Sequence, residues 1–382
     1  MIAALGTGIT QANQQLVRQH GIYRQMQSRE FATSRLCWHG FIPIALQPAL
    51  VLAGSLACKA IRMRLAEQVQ YQPNLLPGKA LLSAPLPMRD GVSPSYVWLP
   101  QGHWPTLLDF LLQRFPDVGA AIWISRMARG EVVAGDGQRQ QPDSPFIRGK
   151  CIYYYRELEH EADIPFRENI LYRDQHILVA DKPHFLPVIP SGRFLRQTLL
   201  VRLKQATGLE QLTPIHRLDR ETAGVIIFSL NPASRGAYQA LFQSREMRKQ
   251  YQALAGLLPD AQWPLIRRSR IEDDAQFFRS CEVPGEANAE TRIELQAHSG
   301  QVGQYLLQPV SGRKHQLRVH LAALGIPILN DSLYPTARAC GDDDFTRPLQ
   351  LLAKSIAFID PLSGQARYFE SRQQLLLPAC SN

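Results

Sequence analysis

A cluster of charge running straight into an unbroken apolar stretch limits what this chain can fold into. His216-Arg217-Leu218-Asp219-Arg220-Glu221-Thr222-Ala223-Gly224 is followed directly by Val225-Ile226-Ile227-Phe228. A short apolar run bounded by turn residues reads as a buried strand, and Thr222 and Gly224 are of the kinds that turns favour. The charged stretch is then a loop at the mouth of that strand, where a rigid scaffold holds reactive groups in place. Asp219 stands between Arg217 and Arg220 and is expected to stay ionised at neutral pH. That suits a nucleophile or an electrostatic stabiliser better than a general acid. A surface salt-bridged turn is the competing reading.

The chain is long, at 382 residues, and basic, with 42 Lys and Arg against 33 Asp and Glu for a net charge of +9. Its length allows a large core and about two folded units. Its charge favours a polyanionic partner, either nucleic acid or an anionic membrane surface. Cys37, Cys58, Cys151, Cys281, Cys340 and Cys380 form no Cys-x-x-Cys pair. This speaks against zinc and against a disulfide framework, and for a reducing, cytoplasmic setting. Residues 1–87 differ from the rest, with Glu30 and Glu67 the only acids and no formal charge from Leu36 to Cys58. That run just reaches membrane-spanning length, but Pro43, Gln47 and Pro48 interrupt it, so no membrane anchor is expected. The region is expected to be poorly ordered and not part of the native fold, with Met88 as an alternative start.

Residues 88–160 read as a small module. Thr106 and Asp109 form a helix start ahead of Leu107, Phe110, Leu111 and Phe115, and a second helix runs through Trp123 to Ala128. Gly130 to Gly137 then reads as strand, Asp-Gly turn, strand. Arg126 and Arg129 share one side of the second helix and could grip phosphates or simply be solvated charges. Glu157, Glu159, Glu161 and Asp163 form an acidic, exposed linker that places the boundary near residue 160. Residues 161–382 open with a hairpin from Ile170 to Lys182. A helix from Asn231 and Pro232 carries a core stripe of Ala233, Ala237, Ala240 and Leu241. A strand from Lys249, Gln250 and Tyr251 comes next, and another from Tyr305 to Val310 turns at Ser311-Gly312 into a helix ending at Gly325.

Three of these stretches, taken in order, resemble the RluA-type pseudouridine synthases. His216 to Gly224 matches that family's His-Arg-Leu-Asp-x-x-Thr-Ser-Gly except at Ala223, and Lys249-Gln250-Tyr251 matches its Lys-x-Tyr. Gly312-Arg313-Lys314-His315-Gln316-Leu317-Arg318-Val319-His320-Leu321 matches its Gly-Arg-x-His-Gln-Ile-Arg-x-His-Leu. The Asp181-Lys182-Pro183 hairpin end resembles its first motif, and Ile326 to Asp331 continues the pattern with Asn330-Asp331 where Gly-Asp is usual.

The resemblance implies an α+β fold, with a mixed, largely antiparallel sheet bent across its middle. A loosely similar helix–helix–hairpin RNA-binding module, of the kind named after ribosomal protein S four, would precede it. The implied reaction isomerises specific uridines to pseudouridine in structured RNA, ribosomal or transfer, after the base flips out. It implies Asp219 as nucleophile and Tyr251 as the ring beneath the flipped base. Arg318 would pair in bidentate fashion with Asp219, and Arg217 would fill the vacated stack. His216, Arg220, Lys182, Arg313, Lys314 and His315 would contact the RNA, with Arg126 and Arg129 assisting from the module. An isomerisation needs no cofactor. His216, His315 and His320 lack metal-ligand spacing, so no metal is expected. The expected enzyme is a cytoplasmic monomer. The alternatives are an RNA-binding protein that has lost catalysis, and a carboxylate-based nucleosidase or glycoside hydrolase, which would need a second acid.

Overall fold

Residues 84–276, 278–337 and 344–379 are described by a computed structural model. The reading of residues 1–87 therefore lies outside the described residues except for the last four. Strand β1 (Ser95–Trp98) leads to helix α1 (Leu107–Arg114), whose start is the capping box that Thr106 and Asp109 predict. Helix α2 (Ala120–Ala128), β2 (Val132–Ala134) and β3 (Cys151–Tyr154) follow. The three strands form an antiparallel sheet in the order β1-β3-β2. One face of it packs Val132, Ala134, Ile152 and Tyr154 against Leu107, Leu111 and Trp123 of the helices. The expected hairpin is reduced: beyond the Asp136-Gly137 turn, Arg139 makes one bridge with Val133, and β3 supplies the real neighbour of β2.

The large unit starts with the antiparallel pair β4 (Asn169–Arg173) and β5 (Ile177–Lys182), as its hairpin pattern predicts. After it come α3 (Leu199–Thr207), β6 (Thr213–Pro214), β7 (Ala223–Ser229) and α4 (Pro232–Gln243). Next are β8 (Arg248–Gly256), β9 (Leu265–Asp273), β10 (Ser280–Val283), β11 (Ala289–Ser299) and β12 (Val302–Pro309). Helix α5 (Gln316–Ala323), β13 (Leu351–Ile359) and β14 (Ala366–Glu370) complete it. The sheet runs β10-β9-β11-β12-β8-β13-β7-β5-β4, with β14 beside β13 and β6 beside β7. It is mixed because β13 and β7 are parallel while their neighbours are antiparallel.

Strand β7 shows why the apolar run is unbroken. Ile226 and Phe228 pack towards Leu199 and Leu203 of α3, while Val225 and Ile227 pack towards Tyr238 and Leu241 of α4. A strand covered on both faces needs no polar alternation. Gly224 belongs to this strand rather than to a turn. Its φ is +114°, and a Cβ there would lie 2.2 Å from the Ala353 carbonyl oxygen of β13. Ala223 is fully buried beside Leu254, Leu352 and Leu375, which explains an alanine at the one position departing from the family motif.

Helix α4 departs from its predicted stripe. Ser234, Tyr238 and Leu241 are buried, whereas Ala233 and Ala240 face solvent, because the rings of Tyr238 and Phe242 decide which side is worth burying. The acidic linker is also less free than its charge suggests. Glu161 accepts hydrogen bonds from the backbone N–H groups of Leu195, Arg196 and Gln197 at 2.6–2.9 Å. Lys204 and Gln205 of α3 hold Ser93 and the Asp90 carbonyl, so the small sheet's leading segment is bound to the large unit.

Candidate active site

The loop 216–222 delivers Asp219 to an open cleft of about 550 Å³, where Tyr251 of β8 and Arg318 of α5 also lie. That volume is in the range of small-ligand pockets. The three motifs, separate in sequence, meet here because β7 and β8 flank β13 and α5 packs across β8 and β12. Asp219 is the one carboxylate among the described residues lining the cleft.

The cation on Asp219 is Arg318, whose Nη1 donates to Oδ2 at 3.3 Å. The expected bidentate pair exists, but with Asp331: Nε to Oδ2 is 2.8 Å and Nη2 to Oδ1 is 2.7 Å. Both members of that pair are almost wholly buried, at 1% and 0% side-chain exposure, against 31% for Asp219. Burial alone would lower the Arg318 pKa, but the hydrogen bonds and charge of Asp331 outweigh it and hold the guanidinium above its usual range. Asp331 is fixed in turn by the N–H groups of Leu333 and Tyr334, at 2.8 and 3.1 Å. A rigid, permanently charged donor thus reaches the cleft carboxylate. Asp331 is the residue that sequence reasoning missed. Its signal is the Asp of the Asn330-Asp331 pair, since a buried arginine needs a full counter-charge.

His315 is not at a phosphate but beside the acid. Its Nε2 is 3.7 Å from Asp219 Oδ2 and its Nδ1 is 2.9 Å from the Tyr334 hydroxyl. Burial lowers its pKa against the pull of Asp219, with Arg318 reinforcing burial. It takes this place because it adopts a left-handed conformation, φ 56°, at the head of α5. Tyr251 lines the cleft, and burial followed by the Asp219 charge raises its pKa, so the phenol stays protonated. Lys249, two residues earlier on the same face of β8, also lines the cleft, and its ammonium donates to the Ser311 carbonyl at 3.2 Å. Thr222 Oγ1 is buried at the cleft with no hydrogen-bond partner among the described residues.

Several expected RNA contacts are occupied elsewhere. Lys182 is fully buried and donates to the carbonyls of Pro183, Leu186 and Arg220 at 2.8–3.0 Å, so it braces the loop 216–222 from beneath rather than standing at the surface. Burial brings its pKa down to about 7, against the charges of Glu221 and Asp219. His216 accepts from the Ile227 N–H at 3.1 Å and stacks on Phe242 at 4.6 Å, tying the loop to β7. Burial, with Lys249 nearby, lowers its pKa to about 3, so it is neutral. Arg220 donates to the Phe185 carbonyl and pairs with Glu221, which is the salt-bridged turn foreseen for this cluster. Arg217 is exposed at the cleft, where a nucleotide would pass. Arg313 and Lys314 are exposed at the rim, Lys314 paired with Asp273 at 3.3 Å.

In the small module the two arginines are paired with glutamates. Arg126 is 4% exposed, lies 5.1 Å from the Trp123 ring centroid and pairs with Glu157. Arg129 is exposed but bridges Glu131 and Glu157 at 2.7 and 2.9 Å. The helix spacing was correct; the acids that face these arginines come from β3's exit and the turn before β2. The three histidines do not converge, since His320 is buried between Ser269 and Thr291.

Comparison with known proteins adds an independent line. A family model described as RNA pseudouridylate synthase matches residues 176–323. An uncharacterized RNA pseudouridine synthase of Synechocystis is 30% identical over 230 residues, 60% of this chain and 79% of that protein. The dual-specificity RNA pseudouridine synthase RluA of Escherichia coli is 33% identical over 207 residues, 53% of this chain and 91% of that one. The mitochondrial tRNA pseudouridine(32) synthase of Saccharomyces cerevisiae is 27% identical over 242 residues, 62% of this chain and 52% of that one. The matched segments include all three motifs that meet at the cleft.

Proposed function

The chain belongs to the RluA-type RNA pseudouridylate synthases, isomerases that turn uridine into pseudouridine within RNA, and from that premise we propose that Asp219 is its nucleophile. The observation that carries this is a single cleft carboxylate held by a buried arginine that is itself locked by Asp331. In the isomerisation the N1–C1′ bond breaks and a C5–C1′ bond forms. The base turns over between the two steps, C5 gives up a proton and N1 takes one up. Atoms and electrons balance within the substrate, so the reaction draws on no redox partner. The Asp219 carboxylate adds to C1′ as N1 leaves with the bond's electron pair, and is displaced from C1′ when C5 of the turned base attacks. Arg318 fixes the direction of that carboxylate. The protonated Tyr251 ring supports the detached base while it rotates. Arg217, exposed beside Asp219, takes the space the flipped uridine leaves in the RNA stack.

A glycoside hydrolase would need two acids flanking the bond, and the cleft offers one among the described residues. Residues 161–382 form the catalytic part and residues 88–160 an accessory module. The substrate is structured RNA, ribosomal, transfer or both. The enzyme works as a cytoplasmic monomer; among the described residues no helix is long and apolar enough to cross a membrane. The test is Asp219→Asn assayed by pseudouridine mapping of cellular RNA. The expected result is RNA binding retained and no pseudouridine formed. Turnover at the wild-type rate in that variant would refute the assignment.

A further inference from the structure

We propose that the outer face of the small sheet is a stacking platform for unpaired bases of the RNA, an inference resting on the reading that this chain acts on RNA. With Arg126 and Arg129 committed to glutamates, the module's helices offer no obvious grip on nucleic acid. Its sheet offers a different one. Side chains two apart on a strand share a face, so Tyr96 and Trp98 of β1 point the same way. Both are 62–63% exposed. Tyr153 of β3 stands directly opposite Tyr96, with ring centroids 5.9 Å apart. The inner residues of these strands, Val97, Ile152 and Tyr154, supply the packing against the helices, so the outer rings contribute little to that core.

β1 is also the edge of its sheet. Edges of this kind are ordinarily guarded by charge or proline, and an aromatic face left on one marks a surface that something covers. The local charge selects what. Residues 91–108 and 144–156, which carry the three rings, contain no Asp or Glu but do contain Arg148, Lys150 and Arg156. Rings with Arg148 and Lys150 on the loop leading into β3 suit unpaired nucleotides, because every base has a face to stack and a phosphate to neutralise. The platform is joined to the catalytic cleft. Arg156, three residues after Tyr153, donates to the Gly192 carbonyl in the turn whose Ser191 lines that cleft. A strand leaving the cleft past this turn meets the platform.

The experiment uses the full chain and two labelled probes of about 12 nucleotides, within the usual site size for a single strand. One is single-stranded oligoadenylate, which offers no uridine to the cleft; the other is a blunt RNA duplex. Tyr96→Ala/Trp98→Ala should weaken oligoadenylate binding by about tenfold or more per ring. It should leave duplex binding and the slope of log K against log salt unchanged. Tyr96→Phe/Trp98→Phe, which keeps the rings, should bind nearly as the wild type. Oligoadenylate affinity unaltered by the alanine pair would overturn the platform. So would an equal loss on the duplex, or a concentration-dependent self-association that the alanine pair abolishes, since the face would then serve a protein. Asp219→Asn should bind oligoadenylate normally while making no pseudouridine. A wild-type chain that made none would sink the catalytic reading and leave the platform to be decided by the probes.

Discussion

Two buried arginines, Arg318 in the large unit and Arg126 in the small module, show how similar charges come to different uses. Each sits on a helix with its side chain at most 4% exposed. Arg126 spends its charge on a half-exposed glutamate and the face of Trp123. Arg318 has a wholly buried aspartate saturating two nitrogens and turns the third towards the cleft carboxylate. An arginine acts in a site when one partner holds it still and another nitrogen remains for the reacting group. Without the second condition it is a strut.

The largest test of that contrast is the one already described at the acid itself. Asp219→Asn should cost at least about a thousandfold in turnover, since no other group can take its place. Next comes Asp331→Asn, which leaves Arg318 buried with half its counter-charge. Removing one partner of a buried pair costs on the order of 3–5 kcal/mol, so both melting temperature and turnover should fall. If Asp331→Asn leaves turnover intact, the clamp does not position the catalytic carboxylate.

Acid should separate the two regions more gently. His184, His216 and His320 of the large unit have pKa values brought down from 6.5 to about 4, 3 and 4, burial being the main cause in each. Unfolded, these rings bind protons that the folded chain excludes, so stability is complete above about pH 6.5 and is lost as pH falls towards 4. The module has no buried histidine among its described residues, since His103 and His160 are exposed. Amide exchange at pH 5 against pH 7 should therefore show β7 and α5 losing protection before β3. Equal loss in both would contradict the burial argument. The smallest effect belongs to Arg126→Met. Its partner Glu157 is half exposed and keeps Arg129, so no buried charge is orphaned; stability should change by about 1 kcal/mol or less and turnover not at all. A fall in turnover would return Arg126 to the RNA.

The elements that carry the motifs were legible because their constraints are local: a loop before an apolar run for Asp219, a strand start for Tyr251 and a helix for Arg318. That these three should meet was implied only by the family resemblance. The roles of Lys182, His216, Arg126 and Arg129 were not legible. A cation's sequence neighbours say what it can bind, but the three carbonyls around Lys182 come from two loops that meet only when the sheet forms. Asp331 acquires its role only where the chain after α5 returns it to Arg318.

Sequence by itself determined the kind of fold and the motifs that line the cleft, because strand burial, helix capping and motif spacing act over a few residues. The tertiary structure decided which cation holds that acid and which arginines face solvent. Those outcomes depend on counter-charges brought together from 13 and 99 residues away, as Asp331 and Asp219 are to Arg318. Coulomb attraction depends on distance in space and on how much water is excluded, and neither is a property of the chain until it folds.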